Sequence, residues 1–167
     1  MGEFTHFDGQ GNAVMVDVGT KAETDRVAIA KGSITMAAAT MALIQRGGVK
    51  KGDVLAVAQL AGIMGAKRTS DLIPLCHPLA LSSVTVELSC DTARLAVDIT
   101  ATCKVTGRTG VEMEALAAVS IAALTVYDMC KAVDREMRIE GIHLAHKSGG
   151  KSGVFQAGKT GPNTSSL

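Results

Sequence analysis

Ser83-Val-Thr-Val-Glu-Leu-Ser-Cys90 and Leu95-Ala-Val-Asp-Ile-Thr-Ala-Thr-Cys-Lys-Val105 both alternate apolar and polar side chains. Val84, Val86, Leu88 and Cys90 fall on one face of the first run, and Leu95, Val97, Ile99, Ala101, Cys103 and Val105 on one face of the second. A repeat of two is the repeat of a strand, and the short link Asp91-Thr-Ala-Arg94 joins the runs as an antiparallel hairpin with one face to bury. The chain around the hairpin must therefore supply a cover for that face.

Two stretches qualify. Downstream, Thr109-Gly-Val-Glu112 has the spacing of a capping box, opening a helix that runs to about Asp134. Between Glu114 and Asp128 this helix carries no charge, and so short an Ala-rich stretch reads as a core helix rather than a membrane span. Upstream, Asp53 is a good N-cap for a helix to Lys67 whose residues are almost all apolar, which predicts burial on nearly every side. Another helix is expected from Thr35, as its cap, to Arg46, stopped by Gly47-Gly48.

Strands are expected at residues 24–34, at Met15–Val18 and at 136–147, where a change of apolar phase beside Gly141 marks a bulge. The order of strand, helices, hairpin, long helix and strand fits an α+β, ferredoxin-like sandwich, an antiparallel sheet with helices packed on one face. Residues 1–13 read as a flexible arm, 14–155 as one domain and 156–167 as a disordered tail.

Composition narrows the function. Aromatic residues make up 2% of the chain and apolar residues 47%, so small aliphatic side chains do the packing, which also suits burial in an oligomer. A net charge of +1 without basic tracts speaks against a nucleic-acid surface. Cys76, Cys90, Cys103 and Cys130 form no CxxC pair and follow no secretory leader, which predicts reduced thiols and a cytoplasmic protein.

Several residue groups point to chemistry. Pro74 and Pro78 stiffen the connector Asp71-Leu-Ile-Pro-Leu-Cys-His-Pro78 around His77, a common way to hold a titratable side chain. Lys50 and Lys51 precede a helix N-terminus, where positive charge is unfavourable unless an anion binds there too. Asp128 and Lys131 lie one turn apart at the polar end of a buried helix, where desolvation would perturb both and fit them to acid–base work. Lys147-Ser-Gly-Gly-Lys-Ser-Gly153 is a flexible cationic segment able to wrap an anion, but Ala145 stands where a P-loop needs glycine and no helix follows. His77, His143 and His146 lack a cysteine or carboxylate at ligand spacing, so no metal site is expected.

Asp-Leu-Ile-Pro-Leu-Cys-His-Pro-Leu79, Thr109-Gly-Val-Glu-Met-Glu-Ala-Leu116, Tyr127-Asp-Met-Cys-Lys-Ala132 and Lys147-Ser-Gly-Gly-Lys-Ser-Gly153 together closely resemble the cyclic pyranopterin monophosphate synthase family, accessory protein C of molybdenum cofactor biosynthesis. The resemblance runs from about Thr5 to Gly153. It implies a ferredoxin-like lyase that converts (8S)-3′,8-cyclo-7,8-dihydroguanosine 5′-triphosphate to cyclic pyranopterin monophosphate and pyrophosphate. It further implies a homohexamer, a trimer of dimers with sites at dimer interfaces.

By that resemblance Leu75, Cys76, His77, Met113 and Glu114 bind substrate, Asp128 is an active-site residue, and Lys51 and Lys131 move protons. The triphosphate calls for several cations, and Lys51, Lys67, Lys131, Lys147 and Lys151 are available. The sequence requires no cofactor, although a triphosphate can bring Mg2+ with it. A non-catalytic oligomeric phosphate-binding module is the rival, and only the enzyme needs the acid–base pair Asp128 and Lys131.

Helix geometry adds a constraint. Glu114 and Asp128 lie roughly 21 Å apart along one helix, too far for one small substrate to touch both, so a two-fold dimer that joins the start of one long helix to the end of its mate is expected.

Overall fold

The computed structural model describes residues 6–47 and 53–158. Its elements are β1 (Thr24–Thr35), α1 (Ala38–Gln45), α2 (Val54–Lys67), α3 (Thr69–Leu72), β2 (Ser83–Asp91), β3 (Ala96–Gly107), α4 (Glu112–Cys130), β4 (Arg138–Ser148) and β5 (Phe155–Gln156). The sheet order is β2-β3-β1-β4-β5 with every neighbouring pair antiparallel. Leaving aside β5, this is the expected α+β sandwich of ferredoxin-like topology.

The hairpin forms as its alternation requires, with Val86 opposite Ala101 and Leu88 opposite Ile99. Val97, Ile99, Ala101 and Cys103 are fully buried beneath the helices, whereas Thr85, Glu87 and Ser89 are exposed. α4 lies on β1 and β3 and α2 on β2, and the two helices pack against each other through glycines. A Cβ at Gly65 would come within 2.8 Å of Ile121 Cγ1, and one at Gly62 within 3.0 Å of the Ala118 carbonyl oxygen. With 19 residues and a mean hydropathy of 1.4, α4 is long and apolar enough by composition to cross a bilayer. Ala115, Ala118, Val119, Ala122, Ala123 and Val126 are instead fully buried inside this sandwich, the behaviour of a core helix.

Several expectations are corrected. Thr35 does not cap α1, because it closes β1, pairing with Ala96 and Arg138. The cap comes from a distant carboxylate: Asp134 Oδ2 accepts from the Ala37 amide at 2.8 Å and from Thr40 Oγ1 at 3.1 Å. Those amide bonds hold the Asp134 carboxyl below its usual pKa. Residues 15–18 form no strand, although the Val16 carbonyl is used elsewhere. α4 ends at Cys130, four residues short of the expected Asp134.

α2 is capped by Asp53, whose Oδ1 accepts from the amides of Leu55 and Ala56 at 3.0 and 3.1 Å. It is not buried on nearly every side: Val57, Leu60 and Met64 are 41%, 64% and 47% exposed and share a face at helical spacing. Leu124 on α4 is likewise 53% exposed. β4 bulges near Gly141, whose φ is 62°, and again at Ala145, between the pairs Ile29–His146 and Ala30–Leu144. Gln156, placed in the tail by sequence, pairs with His146 in β5, while residues 159–167 lie outside the described residues.

Candidate active site

Two cavities meet at the start of α4. The larger, about 550 Å3, is lined by Lys21, Arg26, Arg108, Lys147 and Lys151 together with Thr24 and Ser152. The smaller, about 340 Å3, is lined by Leu75, Cys76, His77, Met113 and Glu114 together with His6 and Val16. Lys21, Thr109, Gly110 and Glu112 belong to both, so one depression has a cationic half and a half suited to a planar heterocycle.

The cationic half is built by three loops tied together. Arg26, on β1, donates from Nε to the Gly107 carbonyl at 2.9 Å and from Nη2 to the Arg108 carbonyl at 3.1 Å. Gly149 and Gly150 have φ of 94° and 73°, and a Cβ at Gly150 would collide with Arg26 Nη1, so glycine is needed there twice over. Arg108 donates from Nη1 to the Gly19 carbonyl at 2.9 Å. Lys147, opposite Ala28 on the buried phase of β1, lies 3.1 Å from Glu112 Oε1 and donates to Ser152 Oγ at 2.8 Å. Thr24 Oγ1, at the cavity wall, is buried without a hydrogen-bond partner among the described residues. Such an atom is satisfied when an acceptor or donor enters.

The second half is held by the stiffened connector. Ile73 is extended, as the residue before a proline prefers, and His77 Nε2 lies 2.7 Å from the Val16 carbonyl. A carbonyl only accepts, so Nε2 carries a proton, and Nδ1 is the ring nitrogen left for a ligand. Glu114 is buried beside it, and burial, reinforced by the charge of Glu112, raises its carboxyl pKa against a smaller backbone hydrogen bond. Burial, and secondarily Glu114, also raises the Cys76 thiol and pushes Cys103 up to about 12. Burial thus favours the neutral thiol of Cys76 over the thiolate.

The structure thus brings together Leu75, Cys76, His77, Met113, Glu114, Lys147 and Lys151. Lys67 is not among them: it lines a neighbouring groove that adjoins the smaller cavity at Leu79. Lys51 lies outside the described residues. Asp128 and Lys131 pair at 2.6 Å at the opposite end of α4, with side chains 58% and 53% exposed, so the expected desolvation is not present in a single chain.

Glu112 forms no capping box, since the N-cap Val111 has no side-chain bond and Glu112 turns to Lys147 instead. Among the described residues no group of three or more His, Cys, Asp or Glu is placed to hold a metal. Arg26, Arg108 and Lys21 were not singled out from sequence, because isolated cations in strands and loops carry no spacing signal.

The chain is 67% identical over 153 residues to a cyclic pyranopterin monophosphate synthase of Rhodospirillum rubrum, covering 92% of each chain. It is 62% identical over 157 residues to the protein of that name from Dinoroseobacter shibae, covering 94% of this chain and 99% of the relative. A Clostridium botulinum protein of the same name is 57% identical over 153 residues, covering 92% and 96%. The profile of the MoaC family matches residues 15–150, the span that runs from before β1 through β4 with α1 to α4, and this chain belongs to the MoaC family.

Proposed function

We propose that this chain is a cyclic pyranopterin monophosphate synthase, a lyase of molybdenum cofactor biosynthesis. It converts (8S)-3′,8-cyclo-7,8-dihydroguanosine 5′-triphosphate to cyclic pyranopterin monophosphate with release of pyrophosphate. The observation that carries this reading is the join of the two cavities: five cations line one side, as a polyanion would need, and His77, Cys76, Met113 and Glu114 line the other.

Forming the cyclic phosphate needs an oxygen of the rearranging skeleton to attack the α-phosphorus as pyrophosphate departs. Arg26, Arg108, Lys21, Lys147 and Lys151 neutralise that leaving group. Glu114, its pKa raised by burial, donates a hydrogen bond when protonated, and His77 Nδ1 accepts one when the ring is neutral. No cofactor is assigned, and Mg2+ would enter only with the triphosphate.

The proton transfers fall to Lys51, Asp128 and Lys131. Because Asp128 and Lys131 stand a helix length from the cavity, the complete site takes them from a second copy of the chain. The exposed stripe Val57, Leu60 and Met64, with Leu124 beside α2, supports self-association, and we place the chain in a cytoplasmic homohexamer built as a trimer of dimers. Incubation with the cyclic triphosphate while pyrophosphate is assayed tests the function, and binding without release would return the chain to a phosphate-binding module.

A further inference from the structure

Among the described residues Glu112 is the only carboxylate that lines the cationic cavity, and five positive side chains line it too. It lies 3.1 Å from Lys147, and the two side chains are only 28% and 25% exposed, so the pair is more enclosed than an ordinary surface ion pair. Its seat is cut for it, because a Cβ at Gly110 would overlap the Glu112 carboxylate oxygens. A carboxylate in the first turn of α4 suits the helix dipole, but that does not require the contact with Lys147, which arrives from β4. Glu112 does not cap α4 by a side-chain bond, and its charge opposes ionisation of its buried neighbour Glu114.

We propose that Glu112 is a built-in stand-in anion. In the empty site its carboxylate takes the place at Lys147 that a substrate phosphate takes on binding, and its return to Lys147 after turnover drives pyrophosphate out. This inference rests on the reading of the cationic half as the triphosphate site. Carboxylate and phosphate beside one ammonium repel each other, so a phosphate seated at Lys147 competes with Glu112 for it. A polyanion that uses Lys147 must therefore weaken the Glu112–Lys147 pair. The opposite role, in which Glu112 permanently orients Lys147 toward phosphate, predicts the reverse effect on binding.

The test is titration of inorganic pyrophosphate, at constant ionic strength, into the wild type, Glu112→Gln, Lys147→Ala and the double variant. Glu112→Gln is expected to bind pyrophosphate about tenfold tighter than the wild type, the size of effect that one released charge pair allows. In the Lys147→Ala background the same substitution should change affinity by less than about threefold, because the pair is already gone. In turnover, Glu112→Gln should lower KM and make pyrophosphate a stronger product inhibitor. Glu112→Ala should shift affinity in the same direction, so a folding defect in one variant leaves the other to decide.

Unchanged or weaker pyrophosphate binding in both Glu112 variants overturns the stand-in role, whatever the wild type does with the cyclic triphosphate. If wild type releases no pyrophosphate from that substrate while Glu112→Gln still binds pyrophosphate more tightly, the proposed reaction falls and the stand-in role survives as a property of the anion site.

Discussion

Lys131 Nζ lies 2.6 Å from Asp128 Oδ1 at the C-terminal end of α4, roughly 21 Å along the axis from Glu114 at its start. Both side chains of the pair are more than half exposed, so neither is a core side chain. Asp128→Ala and Lys131→Ala should each lose turnover by about 100-fold or more, the range of a removed proton-transfer group, while stability changes by no more than about 0.5 kcal/mol. Lys51→Ala should behave likewise. Steady-state assays alongside denaturant melts check this, and normal turnover in a folded variant removes that residue from the chemistry.

Sharing of the site between copies has its own test. Glu114→Ala and Asp128→Ala proteins, each inactive alone, are mixed, allowed to exchange subunits and assayed. Mixed dimers hold one site with both residues intact, so recovery of up to about a quarter of wild-type activity is expected when subunits pair at random. Continued inactivity after demonstrated exchange would contradict a shared site.

The buried Glu114 carboxyl gives a pH signature. Its folded pKa is raised above the ordinary glutamate value, so the folded state holds this proton more tightly than the unfolded chain. Its contribution to stability is complete below the unfolded pKa and is lost as pH rises through the raised folded pKa. Glu114→Gln, which keeps the shape without the charge, should flatten that decline. Urea midpoints measured upward from about pH 4 would show it, since the unfolded carboxyl titrates near there. A wild-type decline of equal size in Glu114→Gln assigns it to another group.

Gly65 tests the packing of α2 on α4. An added methyl would meet Ile121 Cγ1 at 2.8 Å and Ile121 Cβ at 2.9 Å, so Gly65→Ala should destabilise the fold by about 1–3 kcal/mol through overpacking, despite the better helix propensity of alanine. A chemical denaturation curve measures it, and an unchanged or higher midpoint means that Ile121 moves aside freely.

Much of this architecture was legible in the sequence because its signals are local. The alternation in Ser83–Cys90 and Leu95–Val105, the Asp53 cap and the break of phase at Gly141 each depend on residues within a few positions of one another, and each appears where it was read. What escaped is non-local. Asp134 caps α1 from 97 residues away, so Thr35 looked like the better cap. Glu112 had the spacing of a capping box, but the overriding partner, Lys147, arrives from β4. The α2 sequence predicts burial on nearly every side, since apolar composition cannot distinguish a face buried within the chain from the one that Val57, Leu60 and Met64 leave exposed. His77 is legible in sequence as a stiffly held, substrate-binding ring, but its hydrogen bond to the Val16 carbonyl, 61 residues away, is not.

The measurement that bears most directly on the account is release of pyrophosphate from the cyclic dihydroguanosine triphosphate by the purified full-length chain. The account predicts one pyrophosphate for each cyclic pyranopterin monophosphate formed, with release lost in Asp128→Ala and Lys131→Ala. Tight binding of the triphosphate with no pyrophosphate released by the wild type would contradict it.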